Sequence, residues 1–360
     1  MKKALSIAGA YIGIVVGAGF VSGQEILQFF TWFGWWGILG GLIATFLFCF
    51  YGVQLLELGQ EMQATSHKDS IYRICGPWIG AVVDWTVTFF LFGVAAVMLA
   101  GAGALFNQQF GLPTIYGSLG MLAIVLLTLL MRIERIIAAI SLVTPFLMLA
   151  IIIITVYSLT GESMNLHTVG QYAKPANAAA PNWIIGAILY VSYNLAATAP
   201  MLISIGGAMK DHRLNRTGGI LGGLGLGTLI LLIGLSMMTI LNRVEGIPMP
   251  TVFLANKIAP WLAVAMSVII LGMIYNTAVG MLYAFAARLV QPGTPAFFPV
   301  VLASGILALV SSFFGFTKLV GTVYPAMGYL GFLMMGAILL SWLRSRTRPK
   351  PDTVLGKETP

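Results

Sequence analysis

Charge is scarce in this sequence. Aspartate, glutamate, lysine and arginine make up 8% of its 360 residues, where a soluble domain carries roughly 25%. An ordinary water-soluble globular fold is thereby excluded. Cysteine occurs twice and histidine three times. Cys49 falls within an apolar run and Cys75 beside a polar gap, which provides no disulfide framework. His67, His167 and His212 stand far apart in polar gaps, without metal-ligand spacing. A Ser/His or paired Asp constellation at catalytic spacing is also missing, which excludes an intramembrane enzyme of the familiar kinds. No gap between the apolar runs is long enough for a soluble domain.

Apolar residues, by contrast, are abundant: 59% of the chain, with a mean hydropathy of +0.94. Runs of about twenty recur along its length, as a hydrocarbon layer about 30 Å thick requires of a spanning helix. Hydropathy and chain breakers predict ten helices, at 4–31, 35–57, 79–106, 113–131, 136–159, 182–209, 216–241, 259–288, 296–314 and 319–344. The expected organisation is a first five-helix unit at 1–160, an outside connecting loop at 161–181, a second unit at 182–344 and a cytoplasmic tail at 345–360.

Charge placement agrees with this count. With the N-terminus inside, fifteen of the nineteen lysines and arginines fall on the cytoplasmic side, leaving Lys174, Arg243, Lys257 and Lys318 outside. The net charge of +8 is then mostly a topology signal. Basic residues scattered over short loops do not form a nucleic-acid footprint, so the expected surrounding is lipid. The expected orientation is that of a multi-pass membrane protein with both termini cytoplasmic. The N-terminal stretch could pass for a signal peptide, but apolar character resumes in "ILQFFTWFGWWG" and argues for a retained helix.

Within the first helix, "GIVVGAGFVSGQEILQFF" stops behaving like a plain span. Gly17, Gly19 and Gly23 crowd together and Ser22, Gln24 and Glu25 follow. The sixth helix repeats the pattern with Ser192, Tyr193, Asn194, Thr198 and Pro200. Gly17-Ala18-Gly19 and Ala197-Thr198-Ala199 lie 180 residues apart, and Pro77-Trp78 and Pro260-Trp261 lie 183 apart. Five helices reverse the side of the membrane, so such a repeat is inverted. Unpaired backbone groups survive in lipid only where they face a cavity or a ligand. Two breaks near the midplane, at 16–20 and 194–198, therefore suit a small solute with a carboxylate and an ammonium group. Close helix packing is the competing explanation for these glycines, and it is the expected role of "GGILGGLGLG" at 218–227.

The ten-helix, five-plus-five plan with breaks in helices one and six resembles the LeuT fold of the amino acid, polyamine and organocation transporters. More narrowly, "VVGAGFVSGQEILQFF" is similar to the signature of the YkvI-type bacterial membrane proteins. The resemblance implies an all-α secondary transporter, coupled to sodium or protons, for an amino acid or similar solute. A nutrient receptor using the same site without transport is the alternative. "GFVSGQE" stands where the neurotransmitter-type symporters have "GNVWRFP", so their first sodium site does not transfer.

The expected substrate contacts are Gly17, Ala18, Gly19, Phe20, Tyr190, Tyr193, Asn194 and Thr198, with Phe89, Phe90 and Tyr275 adding side-chain selectivity. For the coupling cation the resemblance implies Val16, Gly19 and Thr277, with Asn276 as neighbour. A buried lysine that replaces this sodium in proton-coupled relatives is absent from 136–159, which points to sodium ahead of protons. No other cofactor is implied. Glu25 and Gln24, expected in an outward vestibule, are candidates for gating or coupling, with a structural partnership the alternative for Glu25. Asp84 reads as one half of a structural hydrogen bond or cytoplasmic ion pair, Glu57 as interfacial, and Trp32, Trp35 and Trp36 as an interface belt.

Overall fold

The computed structural model describes residues 2–62, 67–130, 143–160, 168–209 and 211–347, and all of its regular structure is helical. The elements are α1 (Lys2–Val15), α2 (Ala18–Ser22), α3 (Gln24–Phe29), α4 (Trp35–Met62), α5 (His67–Phe110), α6 (Thr114–Leu130) and α7 (Val143–Thr160). After them come α8 (Val169–Tyr172), α9 (Trp183–Ala208), α10 (His212–Met238), α11 (Pro250–Ile258), α12 (Pro260–Leu289), α13 (Phe297–Ser312) and α14 (Phe316–Thr347). Among the described residues six helices are long and apolar enough to cross a membrane, in α4, α5, α9, α10, α12 and α14. The helices α6 and α13 and the Leu149–Thr160 part of α7 are shorter and apolar. The expected span at 4–31 is divided among α1, α2 and α3. The start of the one expected at 136–159 and most of the tail lie outside the described residues.

Between apolar helices in lipid there is no hydrophobic driving force, so close packing of small residues must hold them together. That is how α4 sits between α9 and α10. A Cβ on Gly59 would lie 2.0 Å from the Ile203 carbonyl oxygen, and one on Gly206 would lie 2.0 Å from that of Leu56. On the other side Gly219 rests on Val53, Gly223 on Cys49 and Gly227 on Thr45, an antiparallel register running down the glycine-rich stretch. Gly218 and Gly222 receive Ile7 and Tyr11 of α1, whose phenol donates to the Phe48 carbonyl at 3.1 Å.

Two expectations about breaks need correction. The helix α9 runs unbroken from Trp183 to Ala208, with Pro200 inside it. A membrane helix tolerates a proline where neighbours re-satisfy the freed groups. Pro200 frees only the carbonyl of Ala196, and elsewhere in α9 side chains add donors to the backbone, Asn194 Nδ2 to the Tyr190 carbonyl and Ser204 Oγ to that of Pro200. Likewise α5 continues through Pro77, whereas α11 and α12 part at Ala259, which is extended (φ −161°, ψ 139°). The clash that drives a pre-proline residue out of helical geometry involves its Cβ, which Gly76 lacks and Ala259 has. The tryptophans following these prolines, Trp78 and Trp261, are both strongly exposed. Trp35 and Trp36 are exposed as well, Trp36 stacking on Trp183, while Trp32 is buried and takes no part in a belt.

Candidate functional site

The interruption after α1 is short. Val16 and Gly17 leave helical geometry, Gly17 being extended (φ −100°, ψ −177°), and α2 resumes at Ala18. Ala18, Gly19 and Phe20 are therefore helical, not unwound as expected. A second interruption falls at Gly23, which is left-handed (φ 80°, ψ −5°) and turns the chain into α3. Only glycine adopts this conformation readily, and a Cβ here would also meet the Met237 methyl group and Thr251.

Backbone groups beyond the first interruption are largely satisfied by side chains. Ser22 Oγ donates to the Gly19 carbonyl at 2.8 Å, and Thr251 Oγ1, from α11, donates to that of Val21 at 2.6 Å. The start of α11 is itself clamped to the end of α5, because the Gln108 amide donates to and accepts from the Met249 backbone. The far side of α2 is thus sealed under α11.

The Gly23 turn also decides where Glu25 goes. Its side chain is 5% exposed and folds back, so that Oε1 occupies the space above Gly19 where a Cβ would stand. Oε2 accepts from the Tyr193 hydroxyl at 2.6 Å. Glu25 is consequently enclosed, not in an open vestibule, and it brings a carboxylate to the first break. Among the described residues the ion pairs are Lys174–Glu245 and Arg288–Asp84, and neither reaches Glu25. A buried carboxylate without a basic partner needs positive charge or a proton from elsewhere.

Aromatic rings wall this carboxylate. Tyr193 stacks on Tyr324 with centroids 4.9 Å apart, and Tyr190 makes edge contacts with Phe30, Phe29 and Tyr193 at 5.0, 5.5 and 5.4 Å. Tyr324, Phe29 and Phe30 were not singled out from the sequence; no local pattern separates them from other membrane aromatics. On α3 and α9, three polar atoms are buried without a partner among the described residues: Gln24 Oε1, the Tyr190 hydroxyl and Thr198 Oγ1. Such groups are unusual in folded proteins and point to a missing water, ion or ligand.

Other expected contacts lie apart from this cluster. Phe89 is 55% exposed, whereas its neighbour Phe90 is buried. Tyr275 shares a 2.7 Å hydrogen bond with Thr128 of α6. Asn276 is exposed and Thr277 half-buried, while the Gly19 carbonyl is already engaged by Ser22. Of the expected cation set Val16, Gly19, Asn276 and Thr277, Asn276 is the member that the fold leaves outside the core. Packing alone does not account for Gly17, since a Cβ there would meet nothing within 4 Å. Asp84 pairs with Arg288 at 2.8 Å, and the same guanidinium donates to Thr88, linking α5 to α12. Among the described residues no group of three or more His, Cys, Asp or Glu is placed to hold a metal ion.

No family model matches the chain. It is similar to the uncharacterized membrane protein YkvI of Bacillus subtilis (strain 168), 29% identical over 339 residues that cover 94% of this chain and 95% of that one. A second relative from the same organism, YyaD, is 24% identical over 334 residues, 91% of this chain and 94% of the other. Among solved structures, MhsT in complex with L-phenylalanine aligns with a TM-score of 0.56 at 16% identity, covering 92% of this chain and 88% of that one. Mhp1, a nucleobase-cation-symport-1 family transporter with a bound hydantoin, gives 0.56 at 15%, covering 96% and 79%. A manganese transporter of Eremococcus coleocola gives 0.55 at 14%, covering 95% and 78%. The chain is thus a multi-pass membrane protein, a relative of YkvI over nearly its whole length, built on the fold of the LeuT-type transporters.

Proposed function

We propose that the protein is a secondary transporter that couples a cation to the movement of a small neutral or zwitterionic solute such as an amino acid. The observation that carries this reading is the juxtaposition at the first interruption. Next to the interruption, where a Cβ on Gly17 would meet nothing within 4 Å, the enclosed Glu25 carboxylate lies over Gly19 and accepts from Tyr193, and the neighbouring ring of Tyr190 carries a buried hydroxyl without a partner among the described residues. The solute's ammonium group is best accommodated toward Glu25 and the tyrosine faces, which attract cations. Gln24 and Glu25, in the segment between the Gly23 turn and α9, are the candidates for gating and coupling. As in the sequence reading, the coupling cation is sodium or a proton, with sodium ahead.

Uptake of labelled amino acids into proteoliposomes, with a sodium or a proton gradient imposed separately, tests this directly. Accumulation driven by one gradient and abolished when it is collapsed is expected. Binding detected by thermal shift, with no accumulation under either gradient, would favour a receptor instead. Preferential binding of a polyamine or dicarboxylate would overturn the zwitterion assignment.

A further inference from the structure

Away from the interrupted helix, the ends of α4, α10 and α14 enclose a cavity of about 380 Å³ lined by Phe46, Phe50, Gln54, Glu57, Arg216 and Trp342. A second, of about 230 Å³, shares Gln54, Glu57 and Trp342 with it and adds Glu61 and Ser341, so the two form one groove. The larger is within the size range of small-ligand sites, which begins at roughly 300 Å³. Its position is the end of the bundle that the lysine and arginine distribution assigns to the cytoplasmic surface.

The charges in this groove are arranged in an uncommon way. Glu57 and Arg216 line the larger cavity, and Glu57 and Glu61 line the smaller one that adjoins it. Yet they form no ion pair, since the pairs within 4 Å among the described residues are Lys174–Glu245 and Arg288–Asp84. Opposite charges held apart across a cavity complement a ligand with its own separated charges in the reverse order. Two carboxylates against one guanidinium suit a primary ammonium, which can donate to both, and a phosphate, which a guanidinium can hold by two hydrogen bonds. Toward the bilayer the groove opens onto apolar side chains that the protein leaves uncovered, Phe46 at 68% and Ile220 at 38% exposure. Phe50 meets the Trp342 ring edge-on at 5.2 Å, and tryptophan is at home at the headgroup level.

We propose that this groove is a headgroup site for an amine-bearing zwitterionic phospholipid, with its ammonium on Glu57 and Glu61, its phosphate on Arg216 and its acyl chains along Phe46 and Ile220. The apolar flank selects a lipid over a free zwitterion. A primary ammonium is required because a quaternary one has no hydrogen to donate. The assignment is independent of the transport site and of the solute it takes.

Native mass spectrometry of the full-length protein tests it, using phosphatidylethanolamine, phosphatidylcholine and phosphatidylglycerol of matched acyl chains. Retention of phosphatidylethanolamine about tenfold above either competitor is expected, the effect of about one charge-assisted hydrogen bond. Glu57→Gln should bring retention to parity, whereas Arg216→Gln, which removes the contact to a phosphate that all three lipids carry, should lower the retention of all three; Arg216 is exposed, so its variant folds. Parity in the wild type, equal retention of phosphatidylglycerol, a preference that survives Glu57→Gln, or unchanged retention of all three lipids in Arg216→Gln would overturn the proposal. So would displacement of the lipid by millimolar phosphoethanolamine alone, because the ligand would then be a soluble zwitterion.

Discussion

Substituting Gly19 by alanine probes the candidate site most directly. The added Cβ would lie 2.0 Å from Glu25 Oε1, 2.9 Å from Cδ and 3.1 Å from Cγ. A flexible side chain at a surface would swing aside, but Glu25 is enclosed on a wall of buried tyrosines. The carboxylate must rotate, and its 2.6 Å bond from Tyr193 breaks. A hydrogen bond to a charged group contributes about 1.5–3 kcal/mol, so Gly19→Ala should lower stability by that amount, a factor of about 10 to 150 in the equilibrium. Gly17→Ala is the internal control. Its Cβ meets nothing within 4 Å and its backbone is extended, so stability should hold or rise slightly. Thermal unfolding in detergent measures both, and a double-mutant cycle isolates the mechanism. In a Glu25→Ala background the Gly19→Ala penalty should largely vanish. A penalty that stays additive there, or equal damage from Gly17→Ala, would refute the account of Gly19 as the seat of the carboxylate.

Three further outcomes are expected. Glu25→Gln retains the shape and can still accept from Tyr193, so stability should stay near wild type while the pH or ion dependence of uptake shifts; early melting with unchanged dependence would make Glu25 purely structural. Gly206→Ala drives a Cβ to 2.0 Å from the Leu56 carbonyl oxygen and should destabilise by at least the 1–3 kcal/mol typical of overpacking, whereas Gly272→Ala, with nothing within 4 Å, should be silent in the same melting assay. At the surface, hydrogen bonds from Lys174 and Asn177 hold the Glu245 carboxyl below its ordinary range; a lowered folded value stabilises above the unfolded one and is lost as pH falls through it. Both partners of that pair are exposed, so the acid-side loss should be small, and Glu245→Gln should remove it from the pH profile of the melting temperature.

Comparison with the sequence reading separates local from non-local causes. Boundaries of α4, α6, α9 and α13 were legible to within a few residues because hydropathy and turn residues act through the chain itself. The glycine-rich run at 218–227 was legible as a packing surface for the same reason: residues without side chains can only serve close approach or bending. Pro200 misled, because whether a proline breaks a membrane helix depends on what its neighbours supply to the freed backbone groups. The assignment of both Phe89 and Phe90 to the cavity also failed for Phe89, as a matter of principle. A helix that is apolar all round has no polar face to orient it, so adjacent phenylalanines cannot be told apart until the bundle is assembled.

What the sequence determined by itself was the solvent and the scaffold: a chain with this little charge and this recurrence of twenty-residue apolar runs must satisfy its backbone in helices across lipid. It also placed an interruption near Gly17, since glycines and polar residues clustered in one span have few other uses. The tertiary structure alone decided what the interruption faces. Glu25 returns to Gly19 because Gly23 turns left-handed beneath Met237 and Thr251, residues more than two hundred positions away. Tyr193 reaches the same carboxylate across 168 residues of chain. Periodicity and composition act over a few turns, so they cannot encode such meetings; the packing of distant helices does.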